Sequence, residues 1–248
     1  MLTKLGMITT TVLVALTLSN LTHAGFDLGG MLDAGKDLTK AATLSDGEVK
    51  QLASEASNAC DNANPVAPAS SPYSKRLAKL TKGMKTEGDT KPDIKVYLVK
   101  DLNAFAMADG TVRVFAGLMD EMSDDEVRYV IGHEIGHVNL GHSRKALQTA
   151  YTTSAARKVG AAGGGGIAKL SDSALGDLAE KLVHAQYSQA NENDADKYAL
   201  RFMKANNYDT EAAVSALRKL QKTYGNDGSV FSSHPAPGDR ADALERAL

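Results

Sequence analysis

The stretch SDDEVRYVIGHEIGHVNLGH, from Ser123 to His142, constrains the chain more than any other. Ser123 is followed three residues later by Glu126, a capping box that fixes where a helix begins. Val127, Val130, Ile131 and Val138 then recur at helical spacing, so one apolar stripe faces a core. Three of the six histidines of the chain lie on the same stretch, two of them flanking Glu134.

At roughly 100° per residue, His133 and His137 project from one face, one turn apart. Both imidazoles can therefore reach one tetrahedral ion, with Zn–N distances near ~2.0–2.1 Å. Glu134 sits beside the pair but turned away, so it reaches water at the ion rather than the ion itself. Gly132 and Gly136 are expected to leave room for a substrate or strand to approach. His142 falls out of register for a third ligand and, if the helix continued, would point away from His137. It is read as a polar residue at the helix C-terminal end.

The better third ligand lies later, in SQANENDADKYA. Glu192 and Asp196 are four apart and share a helix face. One carboxylate can bind the metal, and the other can hold a histidine's second nitrogen and fix its tautomer. Asp194 faces elsewhere. Taken alone, the acidic run would be a solvated helix face. Paired with the His133–His137 helix it completes a three-ligand zinc site with a fourth position open.

The rest of the chain supplies the frame. A length of 248 residues suits one domain plus a small appendage. A formal charge of −2, no basic run with interleaved aromatics and no Trp argue against nucleic acid as a partner. Residues 1–24 read as an export signal: Lys4, an apolar run from Leu5 to Leu18, and a cleavage point after Ala24. The single cysteine, Cys60, forms no intrachain disulfide and is read as a partly buried bystander. Residues 25–72 form a helical segment, with a second capping box at Ser45 and Glu48, and a Pro/Ala/Ser linker from Asn62 to Pro72. Residues 73–248 form the catalytic domain.

Within that domain, Ile94 to Lys100 reads as a strand. Asn103 to Ala108 and Thr111 to Phe115 read as a hairpin around Asp109-Gly110. Its strands either offer an edge to an extended peptide or lie inside the sheet. The glycine-rich Val159 to Ala168 is read as a loop, with a mobile lid as the alternative. The fold is α+β and mainly helical, with a small sheet packed near the metal-binding helix.

VIGHEIGHVNLGH and SQANENDADKYA, with NAFAMADGTVRVFAGLMDEM before them and HPAPGDR after, resemble the HtpX and CAAX-prenyl-protease type of zinc metallopeptidases. The match is closest to small exported bacterial members and spans roughly Ser45 to Leu248. The resemblance implies a zincin-type domain in which His133, His137 and Glu192 bind one Zn2+. Glu134 would be the catalytic glutamate and Asp196 the aspartate behind the ligands. It also implies a periplasmic endopeptidase acting on unfolded or misassembled polypeptides, with room for peripheral association with the envelope membrane or its proteins. The alternative is a chaperone-like envelope protein with a latent zinc site. His234 would stabilise an oxyanion, occupy the fourth zinc position, or stand idle. His184 is read as structural, and Arg240 as the partner of a surface acid, with the steering of a substrate carbonyl as the alternative. The chain departs from the family's pattern at Gln189, where Arg is usual, and at Asp194, where Glu is usual. It also lacks the lipid-anchoring cysteine of some relatives.

Overall fold

The structure is a computed structural model and describes residues 44–88, 91–153, 170–225 and 234–248. The expected export signal, the glycine-rich segment 159–168 and residues 226–233 lie outside the described residues. Among the described residues, no helix is long and apolar enough to cross a membrane.

Helix α1 (Asp46–Ala63) opens at Ser45, whose side chain and Glu48 close the expected capping box. Helix α2 (Pro72–Thr81) has Ser71 as its cap and Pro at its first turn, where a missing N–H is harmless. Three strands follow: β1 (Asp93–Tyr97), β2 (Ala104–Ala106) and β3 (Thr111–Phe115). Next come α3 (Ala116–Glu121), α4 (Asp124–Asn139), α5 (His142–Thr153), α6 (Asp172–Val183), α7 (Gln189–Ala205), α8 (Glu211–Tyr224) and α9 (Pro237–Glu245). Helices α6 and α7 are separate because Ser188 caps a new helix and accepts a bond from the Asn191 N–H.

The sheet order is β1-β3-β2, with β1 parallel and β2 antiparallel to β3. The expected hairpin is present, with its first strand three residues shorter. Gly110 takes φ 94°, and the Asp109 carboxylate accepts from both the N–H and the hydroxyl of Thr111 at 3.0 Å. Strand β3 is internal, and its five residues are all buried. The linker runs along the outside of β1: Val66 bridges Tyr97, and the Ala67 N–H reaches the Val96 carbonyl at 2.8 Å. Strand β2 is the opposite edge and packs against α4.

Strand alternation gives the sheet two apolar faces. Val96, Ala104, Ala106, Val112 and Val114 belong to a core shared with α4, α7 and α8. Tyr97, Phe105 and Phe115 turn the other way into a second core with α1, α5 and α6. Their ring centroids lie 5.8 to 6.3 Å apart. Arg113 shares that second face, 1% exposed. It grips Asp61 of α1 through Nε at 2.8 Å and Nη2 at 3.0 Å, and Asp93 at 3.0 Å. Asp61 also accepts from the Tyr97 hydroxyl at 2.7 Å. Burial would raise the Asp61 carboxyl, but the Arg113 and Tyr97 bonds bring it down to about 2. Cys60, next to it, is 5% exposed, and burial pushes its thiol up to about 11.

Helices α4 and α7 are the most extensively packed pair of elements. The two glycines of α4 explain why. A Cβ on Gly132 would lie 2.5 Å from the Phe202 ring, and one on Gly136 would lie 3.1 Å from Tyr198. The space these residues leave is therefore filled by α7, and the expected approach of a substrate or strand is corrected. Two bare backbone positions allow a close helix crossing, and that crossing brings the acidic helix to the histidines.

Candidate metal centre

Four side chains converge inside this crossing. His133 and His137 come from α4, Glu192 from the first turn of α7, and His234 from the segment before α9; all four are buried. The Nε2 atoms of His133 and His137 are 3.0 Å apart. Glu192 lies 3.5 Å from the first through Oε2 and 3.4 Å from the second through Oε1. His234 Nδ1 is 3.3 Å from His133 Nε2 and 3.2 Å from Glu192. Ligands of a tetrahedral ion at ~2.0–2.1 Å stand about 3.3 Å from one another. The donor atoms have this spacing without any rearrangement, so the residues fit a small divalent cation.

The surrounding groups hold these atoms in place. Asp196 Oδ1 lies 2.9 Å from His133 Nδ1 and accepts the Tyr129 hydroxyl at 2.7 Å. Arg240 donates to both oxygens of Asp196, at 2.8 and 2.6 Å, and its Nη1 lies 2.7 Å from Glu192 Oε2. Arg240 is 3% exposed. The expected pairing with a surface acid is therefore corrected: its partners are the two buried carboxylates of α7. It arrives there because Ala236 adopts φ 54°, ψ 52° just before Pro237 starts α9. That left-handed conformation costs a non-glycine residue about 1–2 kcal/mol. The turn lets His234 and Arg240 enter the same site from one short segment.

These contacts set the charges. Burial favours a protonated Glu192, but the charges of His234 and Arg240, with bonds from His133 and His137, hold its pKa well below the usual range. Asp196 is likewise lowered against its burial, chiefly by Arg240. Burial and Arg240 depress His133, yet its bonds to Asp196 and Glu192 prevail and lift it to about 9. Burial drives His137 well below its ordinary value. Burial thus favours the neutral form of His137, while the two carboxylates favour the protonated form of His133.

Glu134 is 2% exposed, with Oε1 3.4 Å from His234 Nε2. A cavity of about 30 Å³ adjoins His133, Glu134 and His234 and is lined also by Leu217 and Leu220. That is room for roughly one or two waters. A larger hollow of about 960 Å³, at the N-terminal ends of α4 and α8, contains none of the donor residues.

His142 is outside the donor set, as expected. Its direction is not as expected: its Nδ1 lies 3.1 Å from His137 Nδ1. The helix ends at Leu140, and Gly141 at φ 74° turns the chain back, so extrapolating α4 misplaces the ring. His184 is exposed and caps the C-terminus of α6. Asp194 is exposed beside Lys197, and Gln189 bonds Asn193 on the helix surface.

Sequence reasoning missed two aromatics. Tyr129 lies one helical turn before His133, a spacing that could have flagged it. Tyr187 stacks on His137 with centroids 3.9 Å apart and planes at 25°. Nothing in its spacing pointed there, because Tyr187 lies in the short non-helical stretch between α6 and α7.

Residues 73–248 match the model of peptidase family M48. The chain is 42% identical over 220 residues to metalloprotease LoiP of Escherichia coli (strain K12), covering 88% of this chain and 87% of that one. It is 40% identical over 244 residues to metalloprotease YcaL of the same strain, covering 98% and 96%. The beta-barrel assembly-enhancing protease of that strain is 31% identical over 159 residues, which is 59% of this chain and 32% of that one. With a family model that spans most of its length and a buried metal-binding cluster at the helix crossing, the chain belongs to peptidase family M48 and is a metallopeptidase.

Proposed function

We propose that the chain is a zinc endopeptidase of the bacterial envelope that hydrolyses unfolded or misassembled polypeptides. The observation that carries this reading is the donor set His133, His137 and Glu192 at tetrahedral spacing with Glu134 alongside. An imidazole pair with one carboxylate suits zinc. A bound zinc ion would supply Lewis-acid chemistry, acidifying water from about 15.7 towards ~7 and polarising a peptide carbonyl. Glu134 is placed to act as the general base towards water and as the general acid towards the leaving amine once a metal is bound. Asp196 keeps His133 Nδ1 protonated, which leaves its Nε2 lone pair free for the ion.

An extended polypeptide suits the site because, among the described residues, β2 is the sheet edge beside α4. Main-chain pairing there gives affinity with little sequence preference. The export signal expected in residues 1–24 and the similarity to the beta-barrel assembly-enhancing protease both support the envelope and the quality-control role.

Casein cleavage by the mature protein with zinc tests the reading. Glu134→Gln should lower kcat by roughly 10²–10⁴-fold while zinc content stays at one per chain. Full activity in that variant would remove Glu134 from the chemistry.

A second reading rests on His234. Its Nδ1 takes the fourth place in the donor set, and the adjacent cavity measures only about 30 Å³. The segment before α9 would then hold the enzyme latent, in keeping with a chaperone-like protein that releases its protease activity on demand. His234→Ala should raise basal cleavage. Unchanged or lower activity would assign His234 to oxyanion stabilisation or to no role.

A further inference from the structure

The two histidines on α4 are supported in different ways. His133 Nδ1 faces the Asp196 carboxylate, which Tyr129 and Arg240 hold in turn. His137 Nδ1 faces another imidazole nitrogen, Nδ1 of His142, at 3.1 Å. At that distance one nitrogen must carry the hydrogen and the other must accept it.

His137 presents Nε2 to the donor set, 3.4 Å from Glu192 Oε1. A neutral imidazole that offers Nε2 to a cation carries its hydrogen on Nδ1. His137 Nδ1–H must then donate, and His142 Nδ1 must accept. The hydrogen of His142 is consequently on its Nε2. Two features fix the pair. Gly141, at φ 74°, turns the chain so that His142 opens α5 facing back at α4. Tyr187 stacks on His137 and lies 6.3 Å, centroid to centroid, from His142.

We infer that His142 is a positioning residue for the metal centre: it accepts the Nδ1 hydrogen of His137 and so fixes the tautomer that frees His137 Nε2 for the cation. The inference rests on the proposed zinc centre. Partners of this kind typically alter metal affinity by roughly 10- to 100-fold when removed. A neutral imidazole is a weaker acceptor than a carboxylate, so His137 is held less firmly than His133.

Zinc affinity, measured by competition with a chromophoric chelator, tests this independently of catalysis. His142→Phe keeps a ring against Tyr187 but removes the acceptor, and should weaken zinc binding by roughly 10- to 100-fold. His142→Gln offers an amide oxygen and should recover part of that loss. Wild-type affinity in His142→Phe would overturn the inference. So would equal affinities of the Phe and Gln variants when their metal-free melting temperatures match that of the wild type.

Ring ¹⁵N NMR of the zinc-loaded wild type needs no variant. It should show the hydrogen on Nδ1 of His137 and on Nε2 of His142. A hydrogen on Nδ1 of His142 would overturn the assignment. A wild-type protein that binds no zinc at all would instead bring down the reading beneath it.

Discussion

Two buried arginines have nearly the same surroundings and opposite consequences. Arg113, 1% exposed, and Arg240, 3% exposed, each grip an aspartate with Nε and Nη2 at 2.6 to 3.0 Å. Each also reaches a second carboxylate. For Arg113 that carboxylate is Asp93, whose side chain is 58% exposed. For Arg240 it is Glu192, 0% exposed. The Arg113 cluster ends at Asp61, Tyr97 and Lys95 and ties α1 to the sheet. The Arg240 cluster continues through Asp196 and Glu192 to the atoms that face a cation. Taking an ion pair out of water costs about as much as the attraction returns, so neither cluster owes its place to net stability alone. One fixes where a helix sits, and the other fixes where lone pairs point.

Breaking each clamp separately should make the contrast quantitative. Arg240→Met leaves Asp196 and Glu192 buried without their cation. Zinc affinity should fall by roughly 10- to 100-fold, and cleavage with it, read by chelator competition and a peptide assay on the same preparation. Arg113→Met should cost about 1–3 kcal/mol of unfolding free energy, because Asp61 loses its guanidinium bonds but keeps Tyr97 and Lys95 as partners. Urea titration of the metal-free protein measures this, and the folded variant should keep wild-type zinc affinity. Parallel losses of zinc in both variants would erase the distinction between the clamps.

The smallest expected effect is the pH response of Asp61. Its folded pKa of about 2 lies below its ordinary value of 3.8. The stabilisation is therefore complete above about pH 4 and is lost as the pH falls towards 2. It amounts to at most about 2 kcal/mol, less what solvent screening removes. Metal-free wild type and Asp61→Asn should differ in stability near pH 5 and converge by about pH 2. A constant gap across that range would detach Asp61 from the acid response.

The sequence carried the local part of this site and less of what crosses between segments. His133, Glu134 and His137 were legible because helical periodicity alone places them on neighbouring faces. Glu192 and Asp196 were legible as a pair one turn apart on a separate helix. Arg240 was misassigned because its depth depends on the left-handed turn at Ala236, and alanine carries no signal for that conformation. His142 was misdirected by extending a helix past Gly141. The roles of Gly132 and Gly136 were reversed for a related reason: sequence shows that a side chain is missing but not which neighbour fills the gap. The hairpin at Asp109-Gly110 was plain, whereas the choice of β2 as edge and β3 as centre depends on β1 pairing from a distance.

The ring of Phe202 lies where a methyl on Gly132 would have to go. The gap between the two helices that carry the metal-binding groups is thus gauged by a hydrogen atom on one side and an aromatic ring on the other. One added carbon on α4 would force a shift of the Phe202 ring, or of α7, the helix that carries Glu192. Tolerance to substitution at position 132 is governed by a contact within the helix crossing itself.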